Sequence, residues 1–158
     1  MGLETVVVGI GNVLASDDAV GLEVVRALAA RRLPAGVRAI EAATAGLGLI
    51  ELLLDVDRAI LVDAIGGRGA PGAITRLEEA DLRSAGPRPL SAHDLALPEA
   101  LALGRALYPE RMPREILVVG IEVGRLDPCR EGLSPLVRAA VPRAVEMIEA
   151  ELRVRPSR

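Results

Sequence analysis

The chain contains no lysine, no phenylalanine and no tryptophan, and it has one cysteine, one histidine and one tyrosine in 158 residues. Each absence closes off a class of chemistry. A P-loop grips phosphate with a lysine, and Schiff-base catalysis needs an amine side chain. Neither is open to a chain whose 19 basic residues are all arginine. The arginine bias fits genome composition and a hot habitat equally well. Binding of single-stranded nucleic acid relies on rings that stack with bases, and Tyr108 is the only ring of that kind. A net charge of −3 and an isoelectric point near 5.3 give no overall attraction to DNA or anionic lipid. No nucleic-acid partner is expected. Cys129 has no second cysteine to pair with, so an intrachain disulfide is excluded and a reducing compartment fits.

Long hydrophobic runs are also missing. Apolar stretches such as Leu47–Leu54 fall well short of the ~20 residues that cross a bilayer. The opening MGLETVVV has no basic segment before its apolar run, so it lacks the form of a secretory signal. A cytosolic protein with no membrane association is expected. The hydrophobic fraction of 51% and the mean hydropathy of +0.35 describe a core-rich globule. There is no repeat and no linker, so residues 1–158 read as a single α/β domain, with a monomer as the default state.

Apolar β-type runs alternate with helical patterns, which predicts a layered α/β fold. Thr5–Gly9 (TVVVG) reads as a buried central strand, followed by a loop over Ile10–Asp17. Val20, Val24, Val25 and Leu28 recur at helical spacing and predict a helix from about Asp18 to Arg31, with Ser16 or Asp17 as its cap. Val37–Ala42 reads as a second strand, Leu47–Asp55 as a short apolar helix and Arg58–Ile65 (RAILVDAI) as a third strand. After the glycine-rich turn Gly66–Gly72, Ala73–Leu77 is expected to return antiparallel beside the third strand. Arg83–Leu90 reads as a loop and His93–Leu107 as helical, regular from about Pro98. Glu115–Val123 is a fifth strand and Asp127–Leu133 a loop. Ser134–Pro135 opens a last helix that runs to about Leu152 and should kink at Pro142. The expected fold is three-layer α/β/α around a twisted, mostly parallel, five-stranded mixed sheet.

Three places carry chemistry. GIGNVLASDDAVG (Gly9–Gly21) follows a strand and opens a helix, as a dinucleotide-binding loop does. Gly9 and Gly11 fit that fingerprint, but its third glycine is replaced by Leu14, and Asp17 and Asp18 stand where a phosphate would be repelled. Asp17 reads first as a helix cap. Asp18 lies just beyond the carboxyl end of strand one, and Asp63 lies in RAILVDAI near the end of strand three. In open α/β sheets that edge is where ligands bind, although Asp63 can equally serve a turn with Gly66. His93 stands at the boundary between a polar loop and an apolar helix, and imidazole suits nickel and zinc. Two carboxylates and one imidazole leave coordination positions open for a metal presented by another molecule. A Cys129–His93 dyad is the alternative, but nothing in DPCREG activates a thiolate.

Taken in order, these blocks resemble the hydrogenase maturation protease family over nearly the whole chain. GIGNVLASDDAVG is similar to the family's opening motif, RAILVDAI with its glycine turn and PGAI to the second block, and SAHDLALPEALAL to the histidine block. VVGIEV and GLSPLV are similar to the closing blocks. The resemblance implies metal ligation by Asp18, Asp63 and His93. The first of these is often glutamate in the family. It further implies aspartyl-type endopeptidase activity that removes a C-terminal extension from the large-subunit precursor of nickel–iron hydrogenase. Nickel would be supplied by the substrate as a recognition handle, with zinc or cadmium able to occupy the site in vitro. Asp17 and Asp18 are then candidates for the base that activates water; Gly9, Gly11 and Asn12 are supporting residues, the glycines for tight backbone geometry and Asn12 either to position substrate or to brace the loop. A relative that grips the same partner without cutting it, as a checkpoint or chaperone, is the alternative.

Overall fold

The structure is a computed structural model, and it describes residues 3–43, 46–66, 69–82, 97–124 and 131–154. Five strands form one sheet: β1 (Thr5–Ile10), β2 (Val37–Ala42), β3 (Arg58–Ile65), β4 (Ile74–Glu78) and β5 (Glu115–Glu122). Their order is β2-β1-β3-β5-β4. All neighbours run parallel except β4, which is antiparallel to β5. The helices are α1 (Val20–Ala29), α2 (Leu47–Leu53), α3 (Glu79–Leu82), α4 (Leu97–Leu107) and α5 (Pro135–Arg153).

Successive strand residues face opposite sides of a sheet, and the core divides on that parity. On one face Val6, Val8, Leu61 and Val118 meet α2 through Leu49, Ile50 and Leu53, and α4 through Leu97 and Leu101. On the other, Val7, Ile60, Val62 and Val119 meet α1 through Val24, Val25 and Leu28, and α5 through Ala144, Val145 and Ile148. Every residue of β1 and β3 is buried, which explains why apolar residues fill both faces of each strand, with Arg58 and Asp63 the buried charges of β3. Each fully buried Val or Leu contributes about 1.5–3 kcal/mol before entropy is charged against it. The three layers expected from the sequence are present.

Two expectations are corrected. The returning strand lies beside β5, not beside β3. β5 is apolar on both faces and takes the inner position. β4 (ITRLE) carries Thr75, Arg76 and Glu78, which suit an edge open to water. The helix predicted from Asp18 starts instead at Val20, behind a 3-10 turn over Ser16–Ala19, and neither Ser16 nor Asp17 caps it with a side-chain hydrogen bond. α5 continues through Pro142 as one helix. No helix among the described residues is long and apolar enough to cross a membrane.

Candidate active site at the carboxyl edge of the sheet

The carboxyl ends of the parallel strands carry the opening loop with Asp17 and Asp18, and Asp63. β1 hands the chain to a tight loop whose hydrogen bonds are local. The Asn12 side-chain Oδ1 accepts from the Leu14 amide at 2.9 Å, and the Ala15 amide donates to the Asn12 carbonyl at 3.2 Å. Asn12 therefore braces the loop, as an Asx turn does. The Asn12 backbone amide in turn donates to Asp18 Oδ2 at 3.0 Å. This charge-assisted bond fixes the orientation of the Asp18 carboxylate. Asp18 is partly exposed at the edge.

The glycines set how closely this loop sits on the sheet. A Cβ at Gly9 would stand 2.3 Å from the Gly21 carbonyl oxygen, and one at Gly11 would stand 2.2 Å from that of Asp18. Gly9 and Gly11 thus let the loop and α1 approach the strand backbone closely. Gly21, with which the motif closes, has the same role. A Cβ there would meet the Val62 carbonyl oxygen at 2.4 Å. The first turn of α1 is thereby pressed onto β3 at the residue preceding Asp63, and the 3-10 turn that carries Asp18 also packs against β3.

Asp63 is 3% exposed and pairs in register with Gly120 of β5. By strand parity its side chain lies on the α2/α4 face. The structure thus brings Asp18, in the 3-10 turn that follows β1, and Asp63, on β3, to the carboxyl edge of two adjacent parallel strands. His93 and Cys129 lie outside the described residues. Among the described residues no group of three or more His, Cys, Asp or Glu side chains is arranged to hold a metal ion.

Asp17 points elsewhere. It is 5% exposed, and its carboxylate reaches Ser134 at the start of α5. The Ser134 amide donates to Oδ1 at 2.6 Å and the Ser134 hydroxyl to Oδ2 at 2.7 Å. The sequence did suggest a helix cap, but on the wrong helix. The carboxylate serves the N-terminus of α5, whose own third residue, Val137, cannot reach back as the acid of a capping box would.

A further carboxylate was missed in the sequence. Glu122 is 1% exposed, pairs with Ile65 and shares the Asp63 face by parity. The signal was present: an acid inside EILVVGIEV has no reason to be there unless something holds it.

Two acids at the switch edge of a parallel sheet suit hydrolysis or metal recognition, and comparison with known proteins decides the class. A family model described as hydrogenase maturation protease matches residues 22–151. The chain is 32% identical over 153 residues to the hydrogenase 2 maturation protease of Escherichia coli (strain K12), covering 96% of this chain and 92% of that one.

The chain belongs to the hydrogenase maturation protease family.

Solved structures agree. The hydrogenase maturating endopeptidase HybD from E. coli superposes with a TM-score of 0.83 at 32% identity, covering 96% of this chain and 93% of that one. HybD from Thermococcus kodakarensis, a nickel–iron hydrogenase maturation protease, gives 0.76 at 28% identity over 96% and 100%. As a hydrogenase maturation protease the chain is a peptidase with the family's mixed-sheet fold. The matched span of the family model includes Asp63 and His93 and begins four residues after Asp18.

Proposed function

We propose that this peptidase acts in the cytosol on the large-subunit precursor of a nickel–iron hydrogenase. It removes a C-terminal extension once the precursor holds nickel, and it uses that nickel as its handle. Asp18, Asp63 and His93 are the groups that would bind it. The observation that supports this reading best is the arrival of Asp18 and Asp63 at one edge, with Asp18 oriented by the Asn12 amide and Asp63 buried on β3. His93 precedes Leu97, the first residue of α4, by four positions, and four residues of chain reach at most about 14 Å. Leu97 packs on the face that carries Asp63.

In this reading the carboxylates and imidazole complete the coordination of the substrate's nickel and hold the scissile bond in place. Positioning of that kind converts an encounter into an intramolecular reaction. Water is the nucleophile, and a carboxylate at the site takes its proton. Zinc or cadmium would fit the same donor set in vitro.

The test is processing of a nickel-loaded precursor by Asp18→Ala, Asp63→Ala and His93→Ala. Each variant is expected to cut at least about a hundredfold more slowly, the scale on which positioned groups act, while its circular dichroism stays that of the parent. Normal trimming by all three would rule the reading out.

A further inference from the structure

Two features of the opening loop remain unexplained by ligation. Ser16 has φ of +51°, a left-handed backbone conformation that a non-glycine residue adopts at a cost of about 1 kcal/mol. Asp17 is a buried carboxylate next to a candidate ligand, with both oxygens spent on another element. Strain of this sort persists where the surroundings over-determine it, and here the determining contacts are visible. The Ser16 hydroxyl donates to the Gly132 carbonyl at 3.3 Å. Asp17 accepts from the amide and hydroxyl of Ser134. Three hydrogen bonds from consecutive side chains therefore pin the turn to residues 132–134, and α5, which begins there, is anchored along its length in the core. Asp18 follows immediately. Its amide donates to the Ala15 carbonyl at 3.1 Å, and its carboxylate swings back to the Asn12 amide.

We propose that Asp17 is a positioning residue, and not the base, for the reaction at Asp18. Its clasp on Ser134 holds the left-handed turn at Ser16, and that turn aims the Asp18 carboxylate. The claim rests on the role proposed above for Asp18. The two acids of the motif then have separate duties: the first is satisfied inside the protein, and the second is left at the edge for substrate.

The chemistry of the side chain provides the test. In Asp17→Asn an amide oxygen can still accept the Ser134 amide, and its NH2 can donate to the Ser134 hydroxyl oxygen. A positioning residue tolerates this change, whereas a general base does not. Asp17→Ala removes the clasp.

Two readouts are used: kcat for precursor processing, and hydrogen exchange at the Asn12 backbone amide, which reports the bond to Asp18 without any need for turnover. Asp17→Asn is expected to keep kcat within about threefold of the parent and to leave Asn12 protected. Asp17→Ala is expected to lose at least about tenfold in kcat and to expose the Asn12 amide. Loss of a hundredfold or so in Asp17→Asn with Asn12 still protected would make Asp17 the base and overturn the proposal. Parent-like kcat and protection in Asp17→Ala would overturn it as well. A parent protein that leaves the precursor uncut would refute the processing reaction, and the exchange measurement would still decide whether Asp17 aims Asp18.

Discussion

Gly21 of α1 meets Val62 of β3 so closely that a methyl group on Gly21 would stand 2.4 Å from the Val62 carbonyl oxygen, and equally close to that of Ile10. Both obstacles are backbone in central strands, so neither can swing aside as a side-chain end would. Gly21→Ala should therefore destabilise the fold by at least about 3 kcal/mol, at the upper end of ordinary overpacking. Urea unfolding measures this directly. A loss below about 1 kcal/mol would mean that α1 lifts off the sheet without resistance. The same displacement would part Asp18 from Asp63, so surviving Gly21→Ala protein should also process precursor poorly.

Ser134 begins α5 with its own hydroxyl turned away from the helix and toward Asp17. Ser134→Ala leaves one oxygen of a buried carboxylate without its donor. A cost of about 1–3 kcal/mol is expected, the range for a buried charged acceptor that loses one partner. Thermal unfolding of this variant beside Asp17→Ala and the double variant checks the pairing. The double variant should be less destabilised than the sum of the singles.

Arg58 is 2% exposed and ties the far end of the sheet to the end of α5. Its Nη1 donates to the carbonyls of Glu151 (2.7 Å) and Val154 (3.3 Å), and Nη2 donates to Glu151 Oε2 (3.1 Å) and Glu115 Oε1 (3.4 Å). Nε stands 2.9 Å from Glu115 Oε2 as an ion pair without hydrogen-bond alignment. Arg76 pairs with the other Glu151 oxygen, and that carboxylate holds the Arg76 guanidinium above its ordinary pKa. Truncation to Arg58→Ala is expected to cost about 1–3 kcal/mol, since it removes the buried side chain and its charge-assisted hydrogen bonds while its partly exposed partners regain water. Arg58→Lys should cost less but still measurably, because one ammonium cannot span a fork of four acceptors. Chemical denaturation of the two variants gives the comparison.

Asp55 and Arg111 form a two-pronged surface pair at 3.0 and 2.6 Å. The Arg111 guanidinium, first by hydrogen bonding and then by its charge, holds the Asp55 carboxyl below its ordinary value of 3.8. A carboxyl depressed on folding stabilises the protein above its unfolded pKa, and that contribution disappears as pH falls through the folded value. The pair's stabilisation should therefore be intact at neutral pH and fade only below about pH 4. Both groups are fully exposed, so the effect should be small and weakened by salt. Asp55→Asn should remove this part of the acid limb in a pH titration of stability. An Asp55→Asn curve parallel to the parent's below pH 4 would contradict the assignment.

Much of the fold was legible because its strands are buried on both faces. Runs such as RAILVDAI and EILVVGIE have no polar side to confuse the pattern, and Arg58–Ile65 and Val37–Ala42 were bounded to the residue. The place of β4 was not legible, because a hairpin-like turn suggests a sequence neighbour, while sheet order is set by which strand most needs covering. Asp18 and Asp63 could be placed at one edge only on the condition that strands one and three are parallel neighbours, which they are. The partner of Asp17 could not, since a contact across 117 residues leaves no local periodicity. Glu122 escaped for a related reason: its face is fixed by register with β3, which a single strand does not reveal.

The most direct measurement is the mass of a hydrogenase large-subunit precursor after incubation with this protein, with the precursor's nickel present and with it withheld. The account predicts loss of a C-terminal fragment only from the nickel-loaded precursor. It further predicts no loss when Asp18 or Asp63 is replaced by alanine. An unchanged mass with nickel present, or equal cleavage without it, would contradict the claim that two carboxylates at the sheet edge read the substrate's metal.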